Sequence, residues 1–440
     1  MMIRRFTHIL CAVAVAMLFA IYMSAQAERT LHTFTSNNDG ATPQAGLISD
    51  ATGNLYGTTV YGGILNDCSD DGQRGIGCGT VFEMTPPSAP GESWKETVLH
   101  EFDSTDGESP SGPLLLDSQG NLYGTTAYAG LGVQGFVFEL SPPAKQGGQW
   151  AFSNIGTFSQ GGQNLEQPTG TLVMDAQGNL YGTAQHGGLN CGAVFELSPS
   201  HGSWTMNAIY LFGSGQNDGC YPQSGLIADS AGHLYGTTYG GSGATSGGTV
   251  FRLSRSEDGT WTSETVHVFR GGYDGEVPVG NLLISHRVLY GATQEGGDTG
   301  CGGYGCGTVY QITPDGRHSV IYRFVSGTLN GFWPESGLSS DLVGNLYGTT
   351  AEGGDTKCLY FGEAGCGTVY ELSPPSMQGG KWTETMLYAF TGFNGDGALP
   401  MASVLWSSKG VLYGTASEGG NDNCSTFETV GCGTVFALTK

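Results

Sequence analysis

Beyond residue 30 the chain alternates short apolar-aromatic runs with Gly- and Asn-rich turns, in an order that repeats. The first unit reads Gly46-Leu-Ile-Ser-Asp50, a turn through Asn54, and Asn54-Leu-Tyr-Gly-Thr-Thr59. It continues with Gly79-Thr-Val-Phe-Glu-Met84 and Glu96-Thr-Val-Leu-His-Glu-Phe102. Runs of this length, rich in Val, Thr, Tyr and Phe and bounded by turn residues, read as four β-strands, here a to d. No later stretch keeps a helical period, so the class is all-β.

The phrase Leu-Tyr-Gly-Thr, or a near copy, occurs seven times, at Tyr56, Tyr123, Tyr181, Tyr235, Tyr290, Tyr347 and Tyr413. Successive spacings are 67, 58, 54, 55, 57 and 66 residues. A proline precedes each tyrosine: Pro43, Pro110, Pro168, Pro222, Pro278, Pro334 and Pro400. That separation is 13 residues in six units and 12 in the fifth, so this hairpin is fixed and other loops absorb the length changes. Seven units of four up-and-down strands predict a seven-bladed β-propeller with strand a innermost. The residues two after each proline (Ala45, Gly112, Gly170, Ser224, Gly280, Ser336 and Ala402) are small, as crowding near an axis requires. Two further on stand Leu47, Leu114, Leu172, Leu226, Leu282, Leu338 and Val404, expected between blades. Leu31-His-Thr-Phe34 is a d-type strand with no a, b or c before it, and Thr434-Val-Phe-Ala-Leu438 is a c-type strand with no d after it. Pairing them closes the ring and removes an exposed edge.

Residues 1–27 read as a cleaved signal peptide: Arg4 and Arg5, an apolar core from Ile9 to Met23, and Ala25-Gln26-Ala27 as the cleavage pattern. Residues 28–440 are expected to form one propeller domain, secreted or held outside the cytoplasm, with no membrane insertion after cleavage. Glycine totals 76 residues while charged residues make up 12%, which fits many tight turns between short strands. Removing the leader leaves 14 basic against 39 acidic residues, a net charge of −25. Such a surface repels phosphate backbones, so nucleic acid is excluded as a partner.

The tandem Asn-Leu-Tyr-Gly-Thr-Thr-x-x-Gly-Gly and Gly-Cys-Gly-Thr-Val-Phe-Glu-Leu units resemble the GloVer (Gloeo/Verruco) repeat proteins of bacteria. The resemblance covers essentially the whole mature chain and is clearest at 54–85, 121–142, 179–199 and 345–375. It implies a repeat type and brings no catalytic or ligand residues with it.

Ten cysteines remain after the leader, and an even number in an exported chain points to disulfides. In a propeller the b–c and d–a loops share one face. Cys68 with Cys78, Cys301 with Cys306, Cys358 with Cys366 and Cys424 with Cys432 each lie within one b–c insert. Cys191 ends a b–c loop and Cys220 lies in the following d–a loop, so that pair shares the same face. No Cys-x-x-Cys knuckle suggests zinc.

Asp50, Asp117, Asp175, Asp229 and Asp341 resemble a carboxylate ring, but each opens an a–b turn, where Asp accepts backbone N–H bonds. A propeller active site would sit near the start of the inner strands, at Gln44, Ser111, Thr169, Gln223, Val279, Glu335 and Met401. That ring holds one carboxylate and no histidine, so Glu335 is the sole catalytic candidate there and no enzyme is expected. Gly130-Leu-Gly-Val-Gln-Gly135 spells a dinucleotide fingerprint but leads into a strand, leaving no helix N-terminus for phosphate. Asp67, Ser69 and Asp71 start like a calcium loop, but position twelve is Cys78 where a closing acid is needed. No cofactor is expected.

The d–a loops carry Tyr221, Tyr273, Phe332, Trp333 and Phe393 beside Asp-Gly or Asn-Gly turns, rings suited to stacking on sugars or gripping a partner. The leading expectation is a monomeric extracytoplasmic binding or scaffold module for a glycan or protein. An extracellular carbohydrate- or ester-acting enzyme using Glu335 and a structural cell-surface protein are the alternatives, which fold alone does not separate.

Overall fold

The computed structural model describes residues 28–440 apart from 37, 64–67, 69–76, 130–132, 146, 160–164, 214, 216–217, 241–246, 327–329, 355–357, 361–362, 378, 422–423 and 427–428. The expected signal peptide and the candidate calcium ligands Asp67, Ser69 and Asp71 therefore lie outside the described residues.

Seven four-stranded antiparallel sheets are present. Blade 1 contains Ile48–Ser49, Leu55–Thr59, Thr80–Thr85 and Lys95–Glu101, hydrogen-bonded in that order. In the last sheet Glu28–Thr33 pairs with Thr434–Thr439, so the N-terminal strand completes blade 7 and the ring closes as the sequence predicts. All seven apolar residues expected between blades, Leu47 to Val404, are buried. Strand a is shorter than expected: in five blades it pairs over two residues, while Leu165–Met174 and Glu276–Ser285 run ten. Both long strands shift register midway, at 169–173 and 279–283. The reason lies at the axis, where the first residues of an inner strand bond sideways to the neighbouring blade. Thr415 Oγ1 donates to Ala45 O at 3.0 Å, Thr183 Oγ1 to Ser224 O at 2.9 Å, and Thr349 Oγ1 to Ala402 O at 3.1 Å.

The repeat motif follows from packing around two glycines. In Leu-Tyr-Gly-Thr, a Cβ on Gly57 would lie 2.6 Å from the ring of Phe82 on strand c, so only glycine admits that ring. Gly79, at the start of strand c, has φ +98°, and a Cβ there would lie 2.7 Å from Cδ of Pro110 in the next blade. The same glycine-on-proline contact occurs at all seven seams, including Gly433 against Pro43 where the ring closes.

A second ring of contacts lies outside it. The phenylalanine ending each strand d meets edge-on the aromatic residue of the next blade's strand c, from Phe34–Phe82 and Phe102–Phe138 round to Phe390–Phe436. The Phe102–Phe138 centroids are 5.2 Å apart at 64°, a favoured aromatic geometry.

Five blades use Phe at the strand c position, whereas blades 5 and 6 use Tyr310 and Tyr370, whose hydroxyls are fully buried without a partner. An unsatisfied buried hydroxyl costs about 1–3 kcal/mol. Tyr370→Phe is therefore expected to raise the unfolding free energy by about 1 kcal/mol in a denaturant titration. A lower midpoint would mean that the hydroxyl has an energetic role that this geometry does not provide.

Candidate ligand-binding face

The d–a loops turn sharply into the inner strands. The residue before every proline has left-handed backbone although none is glycine: Thr42, Ser109, Gln167, Tyr221, Val277, Trp333 and Leu399, with φ from 51° to 62°. Such residues are rare and each costs about 1–2 kcal/mol. A hydrogen bond across the seam helps hold the turn. Tyr221 N donates to Cys191 O at 2.8 Å, Trp333 N to Cys306 O at 3.0 Å and Leu399 N to Cys366 O at 2.9 Å. Each accepting cysteine immediately precedes the glycine that opens strand c, and all five expected disulfides are present. Cys191–Cys220, with Cα atoms 4.3 Å apart, ties a blade 3 loop to the connection entering blade 4.

The turn delivers the residue after each proline to the axis. Gln44, Ser111, Thr169, Gln223, Val279, Glu335 and Met401 all line one cavity of about 460 Å³, so the structure brings the whole predicted ring together. Glu335 is the single ionisable residue among the lining residues. It accepts a hydrogen bond from Gln294 Nε2 at 2.8 Å, and burial raises its pKa. The remainder of the wall mixes amides, hydroxyls and backbone with the apolar side chains of Val279, Met401, Pro113 and Pro278. Gln185 and Gln294 were not anticipated from the sequence. They follow the two small residues after Leu-Tyr-Gly, where other units carry Val60, Ala127, Tyr239, Ala351 and Ser417, and that departure from the repeat was the available signal.

The aromatic candidates separate into two groups. Tyr273 is 75% exposed, Phe393 50% and Tyr221 39%. Phe332 instead turns inward and is buried, and Trp333 packs against it with Nε1–H donating to Gly305 O at 3.1 Å. Both act as loop plugs because the left-handed turn at Trp333 directs them against strand c of the preceding blade. Tyr128, Tyr239 and Tyr304 are further exposed rings. All three lie in b–c loops, so every exposed aromatic ring among the described residues stands on the b–c and d–a face.

The a–b turns, on the opposite face, are structural. Asp50 accepts bonds from the N–H groups of Thr52 and Asn54 and from Asn54 Nδ2, each at 2.9 Å, and Tyr56 O–H reaches it at 3.2 Å. Asp117, Asp175, Asp229 and Asp341 repeat this pattern. Burial pushes the Asp50 pKa up, but its hydrogen bonds outweigh that and hold it below the usual value. The dinucleotide-like spelling leads into the strand Val133–Ser141, as expected.

Further ionisable groups lie at the outer seams, where strand d of one blade faces strand d of the next. Glu28, Glu96 and Glu384 are each pushed up to about 7, chiefly by burial, with Asp396 adding to the rise at Glu28 and Asp39 at Glu96. At the seam of blades 4 and 5, His267 and His318 stack at 3.8 Å beside Asp274. Burial lowers the pKa of His267 and brings that of His318 down to about 4.

The fold and this face define a tandem-repeat propeller with loops and a cavity holding a single carboxyl gathered at one end. The chain belongs to the Gloeobacter/Verrucomicrobia repeat family, whose model matches residues 14–164 and 68–304. No protein of curated function matches it. Among solved structures it is similar to the extracellular domain of a B. thetaiotaomicron protein described as a one-component system, BT4673. The identity is 13%, over 94% of this chain and 42% of that one, with a TM-score of 0.52. It is also similar to a Niastella koreensis GH74 enzyme at 18% identity, over 82% of this chain and 47% of that one, with a TM-score of 0.46. At 13% identity the first likeness is one of fold alone, and this chain spans less than half the length of either protein.

The half-buried glutamates give a signed pH dependence. A carboxyl whose folded pKa is raised above its unfolded value of 4.5 holds its proton more tightly in the folded state. Stability is then highest below the unfolded value and falls as pH rises towards about 7. Chemical denaturation of residues 28–440 should show greater stability at pH 5 than at pH 7.5, with a shallower difference in Glu96→Gln and Glu384→Gln. Equal slopes in the variants and the parent would show that these two groups do not carry the effect.

Proposed function

We propose that this protein is an extracytoplasmic binding module that takes an uncharged, polyhydroxylated ligand, a glycan, on its b–c and d–a face. The observation that carries this reading is the confinement of the exposed rings to the face where the cavity, with its amides and hydroxyls beside apolar side chains, also lies. Aromatic faces stack on the apolar faces of sugar rings, and amides and hydroxyls exchange hydrogen bonds with sugar hydroxyls. A net charge of −25 on the mature chain disfavours anionic ligands. Five disulfides accord with a location outside the cytoplasm.

A second reading rests on Glu335. A carboxyl of raised pKa in a cavity is suited to general-acid chemistry on an extracellular glycoside or ester. In that case Glu335→Gln would abolish turnover while leaving binding in place.

The test is a glycan-array screen of untagged residues 28–440, followed by affinities for Tyr221→Ala and Tyr273→Ala. These rings are exposed, so the fold should survive their removal, and loss of one stacking contact is expected to weaken binding roughly tenfold. Unchanged affinity in both variants, or binding confined to charged ligands, would overturn the proposal.

A further inference from the structure

The seam of blades 4 and 5 differs from its counterparts in a way that packing does not explain. At the seam of blades 1 and 2, His100 bonds Asp106 at 2.9 Å and stacks on Phe152, an arrangement complete in itself. At the seam of blades 4 and 5, His267 bonds Asp274 in the same manner, but the stacking position holds His318. The exchange of a phenyl ring for imidazole leaves His318 Nε2 buried without a hydrogen-bond partner. The exchange is what turns a second imidazole nitrogen, His318 Nδ1, towards Asp274.

What the exchange adds is a third ligand atom. His267 Nε2 lies 3.2 Å from one oxygen of Asp274, and His318 Nδ1 lies 3.3 Å from the other. These three side chains place their ligand atoms within 4.8 Å of one another. We propose that His267, Asp274 and His318 form a binding site for a divalent transition-metal ion of the Zn²⁺ type. Bonds of 2.0–2.1 Å in a tetrahedral shell hold ligand atoms about 3.3 Å apart, so a small closure of three side chains already within 4.8 Å of one another would complete the site. Each imidazole would bind as the neutral ring, with its proton on the other nitrogen. Two imidazoles and one carboxylate leave the fourth position to water.

The scaffold is set for this. Asp274 ends a short 3₁₀ turn, Gly272–Asp274, flanked by Gly271 and Gly275, and its carboxylate also accepts from Arg270 N at 3.1 Å. The two histidines come from strands d of adjacent blades, Trp261–Val268 and His318–Arg323, so an ion here would pin two blades together. The side chains are 18%, 27% and 11% exposed for His267, Asp274 and His318, which gives an ion a route from solvent. The cysteines are held in disulfides, so thiolates do not compete.

The experiment is titration of untagged, chelator-treated residues 28–440 with Co²⁺, read by its ligand-field absorption, and with Zn²⁺, read by calorimetry. One equivalent of each is expected to bind. His318→Phe recreates the arrangement of His100 and Phe152 and should keep the fold, checked by circular dichroism, while binding falls at least about tenfold. Asp274→Asn, which retains the shape of the turn, should weaken binding as well. Absence of stoichiometric binding to the parent protein, or binding unchanged in folded His318→Phe, would overturn the site.

Discussion

The ring depends on one contact made seven times: the glycine that opens strand c in one blade lies against the proline that opens the inner strand of the next. The glycine must have positive φ and no Cβ, as at Gly79 beside Pro110 and at Gly433 beside Pro43. The residue before the proline has left-handed backbone at each of these contacts, at a cost that the seam hydrogen bond, the proline packing and the outer aromatic pair together offset. The second cysteine of each b–c pair supplies the carbonyl at this place, at Cys78, Cys306, Cys366 and Cys432, and Cys191 does so in blade 3. The disulfides thus stabilise the seams as well as their own loops, chiefly by restricting the unfolded chain.

The same constraint positions the candidate site. Because every inner strand begins with a rigid proline turn, seven successive side chains converge on the axis while the loops before them remain free to vary in length. The rigid hairpin on one side and the variable b–c inserts on the other are the usual division between a scaffold and its recognition surface. The cavity that results is polar and almost uncharged although the molecule is strongly acidic, and this contrast favours a neutral ligand there.

Much of this was legible in the sequence because it is local and repeated. The Pro-to-Tyr spacing gave the hairpin, the unmatched strands at 31–34 and 434–438 gave closure, and the shared face of b–c and d–a loops gave the Cys191–Cys220 bond. What escaped depends on the relation between neighbouring blades. Phe332 and Trp333 look like surface rings in a polar loop, yet the turn geometry folds them onto blade 5. The shortness of strand a follows from sideways bonds at the axis. The half-buried Glu96 and Glu384, and the pairing of His267 with His318, come from the register between strands d in adjacent blades, which no single repeat contains. Gln185 and Gln294 are visible as departures from the repeat, but at a position where the other units also vary, so the sequence alone does not mark them as lining the axis.

The measurement that bears most directly on the account is amide hydrogen exchange of residues 28–440 with and without a saturating oligosaccharide. The account predicts added protection at 218–224 and 332–337, where the d–a loops lead into the cavity, and none at the a–b turns. Protection concentrated at the a–b and c–d end, or spread evenly around the ring, would contradict it.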